Sequence, residues 1–143
     1  MSLLRAVMDT NVLVAAFRSR QGASFELLRR LRRGEWSVML SNHLLYEYEE
    51  LLKREGGLHL SESDVDNILN FLCARGEEWP LAPGWTPVLS DADDEPLVQL
   101  AHESGAMRII SFNMRHLAPA ETLGIHLLKP SGFLDMLKAQ SES

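Results

Sequence analysis

Four short segments of this chain carry side chains able to do chemistry together. They are Asp9-Thr10-Asn11, Glu47 within an amphipathic stretch, Asp91-Ala92-Asp93-Asp94-Glu95, and Ser111-Phe112-Asn113. Three of them supply carboxylates and the fourth an amide oxygen. Hydrolysis of a phosphodiester needs charge stabilised on non-bridging oxygens, an activated water and a supported leaving alkoxide. One or two Mg²⁺ or Mn²⁺ ions can meet all three needs. Such hard cations take oxygen ligands, chiefly carboxylates and waters. Carboxylates crowded together without a cation oppose one another's ionisation. A cluster that stays ionised near neutral pH therefore implies a bound cation.

Each residue also has a plainer reading. Asp-Thr-Asn suits a turn. Glu47 stands in a run with Glu49 and Glu50, the usual look of a solvent-facing helix side. The acids from Asp91 to Glu95 are what a helix N-terminus favours through capping and the macrodipole, and Pro96 fits its first turn. The argument rests on joint placement, and placement depends on the elements around them.

Leu3 to Met8 is a short, mostly apolar run ending at Asp9, which reads as a buried strand. Ser24 is a candidate cap for a helix carrying Phe25, Leu27, Leu28 and Leu31 and stopped at Arg33-Gly34. Trp36 to Leu40 reads as a strand. Ser41 caps a helix to about Arg54 with the stripe Leu44, Leu45, Tyr48, Leu51 and Leu52, ended by Gly56-Gly57. Ser61 to Asp64 resembles a capping box before a helix that ends near Gly76. A connector from Trp79 to Pro87 leads to Val88-Leu89, a strand fragment, and to a helix from about Asp94 to Ser104, stopped by Gly105. Met107 to Ser111 and Ile125 to Leu128 are strands, and a last helix follows Pro130. Alternating helices and short strands imply an α/β fold, a three-layer α/β/α sandwich with a mainly parallel central sheet. Sites in such sheets form beyond the carboxyl ends of the strands, where the four segments fall.

At 143 residues, 45% of them hydrophobic, the chain fits one domain with a real core. Residues 1–138 are expected to form it, and 139–143 a disordered tail. The single cysteine, Cys73, rules out an intrachain disulfide and a Cys-based zinc site, and its apolar surroundings suggest a small core residue. The first apolar stretch is too short and too polar to span a bilayer, so a cytoplasmic protein is expected. The five histidines lack metal-ligand spacing. Net charge is −6, which argues against binding nucleic acid through bulk charge. Yet Arg18, Arg20, Arg29, Arg30, Arg32 and Arg33 gather six of the fourteen basic residues. They form either a solvated face or a patch able to contact RNA phosphates.

In order, Val7-Met8-Asp9-Thr10-Asn11-Val12, Ser41 to Leu52 with Glu47 inside, Asp91 to Leu97, and Ile109 to Leu117 resemble a PIN domain, in particular the VapC-type toxins of prokaryotic toxin–antitoxin pairs. The resemblance covers about Leu4 to Leu137. It implies a Mg²⁺- or Mn²⁺-dependent endoribonuclease with a small antitoxin partner and a homodimeric state. The family's acids fall on Asp9, Glu47 and Asp94, with Asp91 or Asp93 as alternatives to the last, and its fourth position falls on Asn113. Many relatives carry Asp there, so this site holds one negative charge fewer and should bind a second metal more weakly. Asn11 is expected to brace Asp9, and Ser111 to orient a water.

Two other readings compete. A catalytically weak or inactive PIN-like module would bind nucleic acid or protein without cleavage, and Asn113 favours that. A receiver-like phosphoacceptor domain is mimicked by Asp9, Ser111 and Lys129-Pro130. It lacks the acceptor Asp after a central strand, since Trp36 to Leu40 leads into Ser41-Asn42. A haloacid-dehalogenase-like phosphatase would need a second Asp where Asn11 stands, and no Gly-rich phosphate loop follows the first strand.

Overall fold

The computed structural model describes residues 3–54 and 58–142. The elements run β1 (Leu4–Met8), α1 (Thr10–Arg18), α2 (Ala23–Arg32), β2 (Trp36–Leu40), α3 (Asn42–Arg54), α4 (Glu62–Arg75) and β3 (Glu77–Glu78). A 3₁₀ turn (Ala92–Asp94) leads into α5 (Glu95–Glu103), β4 (Arg108–Ile110), α6 (Met114–Leu117), a second 3₁₀ segment (Ala118–Leu123), β5 (His126–Leu128) and α7 (Pro130–Ser141).

The five strands form one sheet in the order β3-β2-β1-β4-β5, and every pairing is parallel. All five residues of β2 are buried, as expected of a strand covered on both faces. The fold is the α/β sandwich read from the sequence. Trp36 anchors one side of it: its indole N–H donates to the Leu27 carbonyl at 2.8 Å, and its ring meets Phe133 edge-on at 5.1 Å. Among the described residues, no helix is long and apolar enough to cross a membrane.

The strand order sets the position of the site. The chain builds outward from β1 through β2 to β3, then returns to the other side of β1 for β4 and β5. Connections from β1 and β4 therefore leave in opposite directions, opening a crevice at their carboxyl ends. Two backbone bonds continue the pairing past the strands. Asp9 N–H donates to the Ile110 carbonyl and Ser111 N–H to the Leu128 carbonyl, both at 2.9 Å. Asp9 and Ser111 are thereby fixed on neighbouring strand ends.

Local signals explain most boundaries. Ser41 Oγ accepts the Leu44 N–H at 3.1 Å and starts α3. Ser61 and Asp64 form the expected capping box, with bonds of 3.0 and 2.9 Å. At Gly76, which ends α4, an added Cβ would lie 2.5 Å from the Val38 carbonyl oxygen, so only glycine lets α4 hand over to the sheet there. The Gly56-Gly57 stop proposed for α3 lies outside the described residues.

Several expectations need correction. Ser24 is not a cap; Gly22 holds that position, and Ser24 is buried inside α2. Val88 and Leu89 form no strand, because both backbone N–H groups bond instead to the Glu95 carboxylate. Cys73 is exposed, its sulfur 3.6 Å from Glu78 Oε1, because Val65 and Leu72 take the buried face of α4. The closing helix runs through Ser141, taking in much of the segment assigned to a tail. Phe133, Leu134 and Leu137 are buried along it, and the Ser141 hydroxyl bonds the Leu137 carbonyl.

Candidate active site

The four segments converge. One cleft of about 640 Å³ is lined by Asp9, Asn11, Glu47, Asp94 and Asn113, with Phe112 and Arg18 also in its wall. Asp9 comes from the end of β1, Glu47 from the second turn of α3, Asp94 from the entry to α5, and Asn113 from the loop after β4.

Asp9 occupies the N-cap position of α1, yet its side chain makes no capping bond. It is only 8% exposed, and its Oδ2 accepts the Ser111 hydroxyl at 2.6 Å. Ser111 is fully buried and is itself held, since Oγ accepts the Asn113 N–H at 2.9 Å and the Asn11 amide at 3.5 Å. Asn11 Oδ1 in turn accepts the Phe112 N–H at 3.4 Å. The group bonded to Asp9 is thus Ser111, and Asn11 acts one step further out.

Glu47 and Tyr48 are adjacent on α3 and do different things. Tyr48 is buried and donates its hydroxyl to the Met8 carbonyl, pinning α3 to the end of β1. That bond fixes where Glu47 enters the cleft.

The acidic segment before α5 divides its work. Asp91 Oδ1 caps the 3₁₀ turn, accepting the Asp93 N–H at 3.0 Å. Glu95 is buried and serves the connector, accepting from Trp85 Nε1 at 2.8 Å and from Val88 and Leu89. Asp93 lines a depression on the other side of Glu47, with His43 and Tyr46. Asp94 makes no capping bond and faces the cleft.

Burial raises the pKa of Asp9, and the charge of Asp94 adds to the rise, while the Ser111 hydroxyl opposes it. Burial likewise raises Glu47, opposed by nearby His43 and reinforced by Asp9 and Asp94. Asp94 is raised by burial and by Asp91 and Asp93, with His116 opposing. Asp9 is thus raised by Asp94, and Glu47 by both, and all three carboxylates are reluctant to ionise. A divalent cation among them would relieve both burial and repulsion, and their carboxylate oxygens are ligands such an ion takes.

His116 is the residue that sequence reasoning missed. It sits on α6, and its Nε2 lies 3.0 Å from Asp94 Oδ2 and 3.8 Å from Asp91 Oδ2. No spacing in the sequence signals this, because a helix and a strand separate it from its partners. The arginines disperse. Arg18 lines the cleft. Arg29 and Arg30 pair with Glu26, and Arg30 and Arg33 with Glu35. Arg29 and Arg32 border a separate groove with Phe17, Phe25 and Phe71. Arg20 is exposed in the turn after α1.

Comparison with known proteins agrees with this architecture. Residues 5–115 match the family model of the PIN domain. No curated protein matches the sequence. Among solved structures, the chain is similar to one in the crystal structure of VapBC2 from Rickettsia felis bound to a DNA fragment from their promoter. The two are 15% identical, with a TM-score of 0.59 over 87% of this chain and 98% of that one. At that identity the likeness speaks for the fold. The family match spans the strand ends from Asp9 to Asn113 on which the cleft is built, and this chain belongs to the PIN domain family.

Proposed function

We propose that this chain is a divalent-metal-dependent endoribonuclease and the toxin of a toxin–antitoxin pair. The observation that supports the reading is that Asp9, Glu47 and Asp94, from three separate segments, line one cleft together with Asn113. Asp9, Glu47 and Asp94 would hold Mg²⁺ or Mn²⁺. When bound, the ion supplies Lewis-acid stabilisation of phosphodiester oxygens and lowers the pKa of water.

The rest falls to the chain's own side chains. Ser111 fixes the orientation of Asp9 through their 2.6 Å bond. Asn113 presents a neutral amide where relatives of the resembled type carry an acid, which keeps the local charge lower. Phe112 is 51% exposed in the cleft wall and offers a face on which a base of single-stranded RNA can stack. Arg18 stands in the same wall and would meet a phosphate of the substrate.

The partners follow from the same reading. VapBC2 is a pair, and an antitoxin of this chain would find apolar surface in the groove lined by Phe17, Phe25, Ile68 and Phe71, with Arg29 and Arg32 at its border. A homodimer and a cytoplasmic location belong to this proposal too.

The test is cleavage of single-stranded RNA with Mn²⁺, with EDTA, and by Asp9→Ala, Glu47→Ala and Asp94→Ala. Cutting should require the ion. Each variant should lose at least the roughly 100-fold seen at the upper end when an outer partner of a metal ligand is removed. Cleavage that survives EDTA would overturn the proposal. RNA binding without any cleavage would favour a non-catalytic module, the reading that Asn113 keeps open.

A further inference from the structure

The imidazole of His116 stands where a cation ligand would stand. Its Nε2, Asp94 Oδ2 and an oxygen of Asp91 form a set of donor atoms lying within 4.8 Å of one another. They come from two segments on opposite sides of β4: the acids precede α5, and His116 lies on α6. The nitrogen is shielded from solvent and meets no partner in hydrogen-bonding geometry among the described residues, although Asp94 Oδ2 is only 3.0 Å away. A solvent-shielded nitrogen without a well-aligned partner is costly. Beside two carboxylates, a cation is the partner that satisfies all three groups.

Ligand chemistry then sets the preference. Mg²⁺ demands oxygen ligands in near-ideal octahedral geometry and keeps several waters. Imidazole nitrogen suits first-row transition ions, whose affinity for such ligands exceeds that of Mg²⁺. We propose that His116 binds the cation held by Asp94 and thereby selects Mn²⁺ over Mg²⁺. The inference rests on the reading that Asp94 holds a divalent ion, and it goes beyond that reading in naming the nitrogen ligand and the ion it favours.

A simpler role for His116 is that of a counter-charge to Asp94. The two roles make opposite predictions for His116→Ala. Loss of a counter-charge strengthens both ions alike and leaves the ratio of their affinities unchanged. Loss of a ligand weakens Mn²⁺ more than Mg²⁺, so the ratio falls, by about tenfold on the scale of a single lost metal partner.

Calorimetric titration of wild-type protein and His116→Ala with MnCl₂ and MgCl₂ reads that ratio. Pulsed electron paramagnetic resonance of the Mn²⁺-loaded wild-type protein should show nitrogen-14 coupling from a bound imidazole. That readout does not depend on how the variant folds. An unchanged affinity ratio, absent nitrogen coupling, or no Mn²⁺ binding would each overturn the inference. RNA is absent from both measurements. A protein that binds Mn²⁺ through His116 and cuts no RNA would refute the nuclease proposal while leaving this one standing.

Discussion

Asp9 is a carboxylate that the fold buries before it neutralises. Burial raises its pKa most, Asp94 adds to the rise, and Ser111 only partly offsets it. Because its folded-state pKa lies above the unfolded value, the native state holds that proton more tightly. The stability of the cation-free protein should therefore fall as pH rises from the ordinary carboxylate range through the raised pKa, and the penalty should vanish only below the unfolded value. Asp9→Asn removes this penalty and keeps an acceptor for Ser111. In EDTA the variant is expected to be more stable than wild type by about 1 kcal/mol, in the usual range for a relieved functional site. Stabilisation by Mn²⁺, seen in wild type as binding to the native state, should be lost. Thermal unfolding with and without the ion measures both effects, and a variant less stable in EDTA would contradict the account. Asn113→Asp adds a charge to the same cleft. It should tighten Mn²⁺ binding several-fold, on the order of the 1 kcal/mol of a close charge pair at high effective dielectric. Calorimetry giving equal or weaker affinity would remove Asn113 from the site. That the segments carrying Asp9, Glu47, Asp94 and Asn113 line one cleft was legible in the sequence, because each stands just beyond a strand or early in a helix; the choice of Asp94 among the neighbouring acids came from the family resemblance alone. His116 was not legible, because its meeting with Asp94 is made by the tertiary return of the chain after β4.

At the level of elements, Glu95 explains how the long connector before α5 stays in place without regular structure. Its buried carboxylate accepts from two backbone N–H groups and an indole N–H. Glu95→Ala would leave those donors without their acceptor. The expected cost is about 3 kcal/mol, toward the upper end for bonds to a charged group. Hydrogen exchange at the Val88 and Leu89 amides should accelerate; unchanged protection there would mean the connector is held by something else. This is also where local reading failed. Val88-Leu89 looks like a strand, but its hydrogen bonds go to a side chain. Elements with their own signals were readable: the Ser41 cap of α3, the Ser61–Asp64 box of α4, and β2. α1 was hidden because Asp-Thr-Asn reads as a turn and Val12-Leu13-Val14 as an apolar run, although α1 buries Thr10, Val12, Leu13, Val14 and Ala16. β3 has two residues, both glutamate and both exposed, and no pattern in them announces a strand.

Across the whole molecule, one topological fact places the cleft. The sheet reverses its direction of growth between β1 and β4. That reversal opens the crevice into which β1, α3, the entry to α5 and the loop after β4 each send one polar side chain. Alternation of helices and strands made the sandwich legible, since burial on both faces leaves continuous apolar strands such as β2. The order of the strands was not legible, because parallel crossovers of similar length carry no mark of which neighbour they join. Growth of crystals with Mn²⁺, followed by an anomalous difference map, tests the central claim most directly. A peak bonded to the carboxylate oxygens of Asp9 and Asp94, with Glu47 turned toward it, is the predicted result. A cleft without a peak, in crystals whose protein is saturated with Mn²⁺ elsewhere, would contradict it.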